Sequence, residues 1–179
     1  MSKQDNVFLV GPMGSGKTAV GLQLARDLGV EFIDSDAEIE RRTGVDITLI
    51  FEKEGENRFR EREKEVIADL AQRDNVVLAT GGGAILAADN RRILGSRGIV
   101  VYLKTSVKHQ LDRTQHNQKR PLLINDDPAT VLTRLMKVRG PLYEKLADIS
   151  VDTKGQRVKT VVGQIKSLLE EQGFTPLKK

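Results

Sequence analysis

Residues 7 to 18, Val-Phe-Leu-Val-Gly-Pro-Met-Gly-Ser-Gly-Lys-Thr, constrain this chain more than any other stretch. Four apolar residues, Val7 to Val10, read as a buried strand and run directly into Gly11, Gly16, Lys17 and Thr18, the spacing of a phosphate-binding loop. A loop that wraps an anion turns its backbone N–H groups inward, which requires positive φ at several positions. Gly11, Gly14 and Gly16 adopt it without a Cβ clash. Ala19 to Leu28 then continue with apolar residues at Val20, Leu24 and Leu28, so a bound phosphate would rest on unsatisfied N–H groups at a helix N-terminus. Lys17 supplies a point charge for the β- and γ-phosphates, and the Thr18 hydroxyl is placed to ligate Mg²⁺. Nucleotide binding follows from the motif and its context.

A length of 179 residues fits one domain with a sizeable core. There is no cysteine, which excludes disulfides, thiolate metal sites and cysteine nucleophiles. Met1 to Asn6 are polar and only four apolar residues follow, too few for a signal peptide or a membrane span, so a cytoplasmic protein with no membrane partner is expected. The net charge of +4 permits an anionic ligand or a nucleic acid. Lys and Arg are interspersed with Glu and Asp, however, and aromatics make up only 4%, so neither a basic stripe nor a stacking platform is visible and nucleic acid is not the expected partner.

Along the chain, Gly29 is placed to cap the first helix, and Val30 to Ile33 read as a second strand ending in Asp34-Ser35-Asp36. Ligands of open α/β sheets bind at the carboxyl ends of strands, where these carboxylates fall. One could hold Mg²⁺ through a water while the other orients a substrate hydroxyl; alternatively, Asp36 caps the helix Ala37 to Arg42. Thr43-Gly44 closes that helix, Asp46 caps a short one through Phe51, and Glu56 to Ala71 form another with Phe59, Val66, Ile67 and Leu70 inward. Arg60 and Glu63 share a face of it, and composition alone reads them as part of a solvated, ion-paired surface. Val76 to Thr80 make a strand buried on both faces, ending in Gly81-Gly82-Gly83, which lets a ligand approach bare backbone N–H groups.

Asp89 is expected to cap a short helix to Leu94, Ile99 to Leu103 to form a fourth strand, and Ser106 to start a helix to about Arg113. Residues 114 to 120 carry no apolar side chain and read as a mobile loop. Carrying Arg120, the loop suits a lid that excludes water and brings a guanidinium to the phosphates. Asp127-Pro128 starts a further helix through Val138, which Arg139-Gly140-Pro141 is expected to interrupt. Ile149 to Val151 form a fifth strand, Val158 to Leu169 a closing helix, and residues 175 to 179 a frayed end. His109 and His116 read as surface residues. Strands alternating with helices imply a three-layer α/β/α fold around a parallel sheet, in a single domain.

Six separated signatures, Gly11-Pro-Met-Gly-Ser-Gly-Lys-Thr18, Asp34-Ser35-Asp36, Phe59-Arg60-x-x-Glu63, Gly81-Gly82-Gly83, Arg120-Pro121-Leu122-Leu123 and Arg139-x-Pro-Leu-Tyr143, resemble the shikimate kinases, small relatives of the nucleoside monophosphate kinases. The resemblance covers nearly the whole chain. It implies a five-stranded parallel sheet in the order 2-3-1-4-5, substrate-binding helices over about 34–62, a lid over about 114–126, and transfer of the ATP γ-phosphate to the 3-hydroxyl of shikimate in chorismate biosynthesis. On that basis Asp36 binds the reacting hydroxyl, Arg60 and Arg139 hold the substrate carboxylate, and the Gly82 backbone touches substrate. Thr18 and Asp34 manage Mg²⁺, and ATP rests on Gly14, Ser15, Gly16, Lys17, Thr18 and Ala19. Arg113 stacks on adenine and Arg120 belongs to the lid, so that Asp36, Lys17 and Arg120 carry the chemistry. Gln156 or Arg157 stands where some relatives place a second adenine-covering arginine. A monomer is expected. A gluconate-type kinase, or a nucleotide-binding regulatory protein without catalysis, would share the loop and the fold.

Overall fold

The computed structural model describes residues 6–115 and 126–175. Five strands, β1 (Val7–Val10), β2 (Glu31–Asp34), β3 (Val76–Ala79), β4 (Ile99–Lys104) and β5 (Ile149–Asp152), form one parallel sheet in the order β2-β3-β1-β4-β5. Among the described residues seven α-helices cover it: α1 (Lys17–Leu28), α2 (Ser35–Thr43), α3 (Ile47–Leu70), α4 (Ala88–Arg97), α5 (Val107–Thr114), α6 (Pro128–Leu146) and α7 (Val158–Glu171). None of them is long and apolar enough to cross a membrane.

The unbroken apolar strands are explained by their two cores. Val7, Leu9, Val101 and Leu103 pack under α1 and α7, while Phe8, Val10, Val100 and Tyr102 face α3, α4 and α6. Alternate residues of one strand therefore enter opposite cores, and each buried Val or Leu contributes roughly 1.5–3 kcal/mol. Close packing also fixes Gly21 of α1, where a Cβ would sit 2.4 Å from the Phe32 ring.

Helix boundaries follow local chemistry, with informative departures from expectation. Asp34, not Asp36, caps α2: its Oδ1 accepts the N–H groups of Asp36 at 2.9 Å and Ala37 at 3.1 Å. Asp46 caps α3 through the Leu49 N–H, and Gly55, at φ 80 and ψ 171, breaks α3 into the two helical runs expected from the sequence. Asp89 does not cap α4. Ala87 precedes that helix, and the Asp89 carboxylate instead pairs with Lys64 of α3 at 2.5 Å and Arg92 at 3.1 Å. Nor does Pro141 interrupt α6, which runs through it to Leu146. A proline removes one N–H from the ladder; here Arg139 and Tyr143 on either side are buried and hold the helix in place. The lid expected over 114–126 falls largely on residues 116–125, outside the described residues, and Arg120 and His116 with it.

Candidate active site

Three strand ends meet at one edge of the sheet. The loop after β1 turns through Gly11, Gly14 and Gly16 at φ 149, 76 and 92, all in the region that favours glycine. Across it, Lys17 folds back so that Nζ donates to the carbonyls of Gly11 at 2.7 Å and Pro12 at 2.9 Å. Ser15 is fully buried within the loop. On the neighbouring side, β3 continues into the glycine run, which is tied to β1 by Thr80 N–H donating to Leu9 O at 3.1 Å and to the start of α2 by Gly81 N–H donating to Ser35 Oγ at 3.1 Å.

A single cavity of about 660 Å³ opens over this edge. One end is lined by Gly14, Gly16, Lys17, Thr18, Ala19 and Arg113, the other by Asp36, Arg60, Glu63, Gly82 and Arg139, with Phe51 and Phe59 as an apolar wall. Asp34 lies between the two ends, its Oδ2 accepting the Thr18 hydroxyl at 3.1 Å. Arg113 reaches over the loop to donate to Gly14 O at 3.1 Å. Gln156 is not part of the lining; its amide donates to Asp152 O at 2.7 Å and accepts from Gln164 at 3.0 Å.

The deep end collects buried charge. Arg60 donates to Glu63 at 2.8 Å, and Glu63 is only 1% exposed, so this pair is not the solvated ion pair that composition suggests. Arg139, 4% exposed, approaches from α6. Asp36 Oδ1, Glu63 Oε2, Arg60 Nε and Arg139 Nε are all buried without a hydrogen-bond partner, an expensive arrangement for a fold alone and the one expected of a pocket that meets a polar ligand. Burial first, then the carboxylates of Glu63 and Asp34, push Asp36 up to about 7. Burial also raises Glu63 against the pull of Arg60.

The glycine run makes this crowding possible. A Cβ on Gly81 would lie 2.7 Å from Asp36 Oδ1 and 2.9 Å from Glu63 Oε2, and one on Gly83 would lie 2.3 Å from the Arg60 guanidinium. Two residues that sequence reasoning left outside the site take part in building it. Glu63 was signalled by its three-residue spacing from Arg60. Tyr143, four residues after Arg139 on α6, is fully buried and donates its hydroxyl to Gly82 O.

The arrangement can hold a polyphosphate at one end and, within the same cavity, a small hydroxylated anion at the other, between two guanidinium groups and a carboxylate of raised proton affinity. Comparison with known proteins shows the family. A family model described as shikimate kinase matches residues 13–170. Shikimate kinase of Histophilus somni (strain 2336) is 54% identical, over 95% of this chain and 98% of its own length. That of Vibrio cholerae serotype O1 (strain ATCC 39541 / Classical Ogawa 395 / O395) is 53% identical, over 96% and 98%. The solved structure of shikimate kinase from Acinetobacter baumannii in complex with shikimate superposes with a TM-score of 0.93 at 49% identity, covering 98% of this chain and 96% of that one. With the model spanning most of its length and relatives more than half identical to it, the chain belongs to the shikimate kinase family.

Proposed function

We propose that this chain phosphorylates shikimate, with Mg²⁺, by moving the ATP γ-phosphate to the 3-hydroxyl and releasing shikimate 3-phosphate and ADP, a step on the route to chorismate and the aromatic amino acids. The observation that carries the reading is the single cavity shared by the phosphate loop and the Asp36, Arg60 and Arg139 cluster. The substrate is a small carboxylate bearing hydroxyls, and a planar carboxylate is held best by the guanidinium fork. Arg60 and Arg139, from different helices, fix that end of the ring and aim a hydroxyl towards the loop. Asp36 orients this hydroxyl. As its oxygen bonds to the γ-phosphorus and the bond to the bridging oxygen of ADP breaks, the hydroxyl proton passes to the Asp36 carboxylate. The transition state is loose and its charge spread, so placement and electrostatics outweigh base strength.

Mg²⁺ suits the donors at hand. The Thr18 hydroxyl and Asp34 carboxylate face each other at 3.1 Å, and among the described residues no group of three or more His, Cys, Asp or Glu forms an all-protein cage. An ion that retains waters and phosphate oxygens needs no more than this. Held by Thr18 and Asp34, the ion would supply charge neutralisation on the β- and γ-phosphates. Lys17 adds its charge to the phosphate oxygens and Arg113 covers the adenine, while Gln156 and Arg157, outside the cavity lining, are left without a part in it. Arg120, which lies outside the described residues, is assigned to the transferring phosphate by the family resemblance alone. The protein acts as a monomer, with neither nucleic acid nor a membrane as partner.

The test is incubation with ATP, Mg²⁺ and shikimate, with gluconate in parallel, following ADP and a new phosphate monoester. Shikimate-dependent ADP release is expected. Release with gluconate and none with shikimate would overturn the assignment.

A further inference from the structure

Three consecutive glycines are the most pliable backbone a chain can present, yet Gly81–Gly83 must hold a fixed course between Asp36, Arg60 and the phosphate loop. We infer that Tyr143, which does not line the cavity, is a positioning residue for the substrate end of the site: its hydroxyl fixes the Gly82 peptide, and with it the backbone against which the Arg139 guanidinium rests. The inference rests on the reading that Arg139 and the Gly82 backbone face shikimate.

Geometry carries it. Tyr143 donates to Gly82 O across 61 residues of sequence. Arg139, one helical turn earlier on α6, stands against the same glycine: a Cβ on Gly82 would lie 3.6 Å from its Nη1. Because the peptide is planar and trans, holding the Gly82 oxygen fixes the whole plane, with the Gly83 N–H directed away from Tyr143. The ring cannot drift: it is fully buried and stacked on Tyr102 of β4, with centroids 5.0 Å apart and planes at 25°. One side chain therefore ties β4, through its ring, to the glycine run after β3, through its hydroxyl, and the glycine it holds is the one beside Arg139 in the cavity.

Tyr143→Phe removes the hydroxyl and keeps the ring. A KM for shikimate raised roughly tenfold is expected, the scale of one buried hydrogen bond lost, with the KM for ATP changed less than about twofold. The rise should shrink for the methyl ester of shikimate, which lacks the charged carboxylate that Arg139 meets. Turnover of shikimate by the unsubstituted enzyme tests the underlying reading separately. Since the Gly82 carbonyl loses its partner, the shikimate KM and the thermal melt are measured with saturating ATP, which stabilises the fold by mass action, and the KM for ATP in a separate titration at saturating shikimate. An unchanged shikimate KM with a lowered Tm, equal rises in both KM values, an equal penalty with the ester, or failure to fold even with ATP would each reduce Tyr143 to a core residue and overturn the inference.

Discussion

Asp34 accepts the backbone N–H of Asp36 at 2.9 Å, and this bond divides the labour between two carboxylates that the sequence presents as equivalents. Asp34 meets the first N–H groups of α2 and turns its other oxygen to Thr18. Asp36, two residues inside the cap, is relieved of capping and keeps a buried oxygen without a partner beside Glu63.

Asp36→Asn should therefore cost activity and add stability. The loss in kcat is expected to be at least ~10²-fold, the lower end for a positioned acid-base group. For stability, a carboxyl held at about 7 in the fold and near 3.8 when unfolded is neutral in both states at low pH. Its folded form is penalised increasingly as pH rises from 3.8 through 7, because only the unfolded chain ionises freely. Asparagine removes that penalty, so the variant should gain on the order of 1–3 kcal/mol above neutral pH and little near pH 4. Paired thermal melts at the two pH values, alongside steady-state rates, check it; near-normal turnover would remove Asp36 from the mechanism.

The pH profile should carry the same signature. Asp36 works as a carboxylate, so kcat/KM should fall as pH drops through about 7. Glu63 is the leading charged neighbour that raises Asp36. Glu63→Gln keeps an oxygen for Arg60 while deleting the negative charge, and the acid limb should move to lower pH, whatever happens to the height of the plateau. A limb that stays in place would show that some other group titrates there.

The sheet was legible because its three central strands, β3, β1 and β4, are apolar almost throughout, a pattern that burial on both faces requires, and the phosphate loop was legible because its glycines answer a local demand for positive φ. What could not be read depends on partners distant in sequence. The choice between Asp34 and Asp36 as cap rests on where strand β2 stops, one residue later than expected. Asp89 resembles a cap until Lys64 of α3 takes its carboxylate. Glu63 looks solvated beside so many surface arginines and glutamates, because its burial comes from a glycine run about twenty residues later that folds over it. Tyr143 gave no local sign of reaching Gly82.

Arg60→Lys separates fork from charge. The guanidinium is braced by Glu63 at 2.8 Å and Glu56 at 3.3 Å, which aims its remaining donors into the cavity. Lysine keeps the positive charge but not the planar pair of donors. The KM for shikimate should rise well beyond any change in the KM for ATP, by roughly 10- to 100-fold if about 1.5–3 kcal/mol of charge-assisted bonding is lost. An effect confined to ATP would contradict the placement.

The glycine run makes the most demanding prediction, because it separates folding from function at neighbouring positions. At Gly81 and Gly83 an added methyl meets the ends of flexible side chains, Asp36 and Glu63 in one case and Arg60 in the other. The fold can accommodate this by swinging those side chains aside, while the site cannot. Gly83→Ala should displace the Arg60 guanidinium and raise the KM for shikimate, and Gly81→Ala should displace Asp36 and lower kcat. Both should leave Tm within a few degrees of the parent. Gly21→Ala is the counterpart: its methyl would press on the Phe32 ring at 2.4 Å, inside the packing around α1, where overpacking costs about 1–3 kcal/mol. That variant should lose several degrees of Tm and, while folded, retain its KM for shikimate. If Gly81→Ala and Gly83→Ala instead lose stability as Gly21→Ala does and keep their kinetic constants, the glycines serve the chain's path alone and the space they leave is not what shapes the pocket.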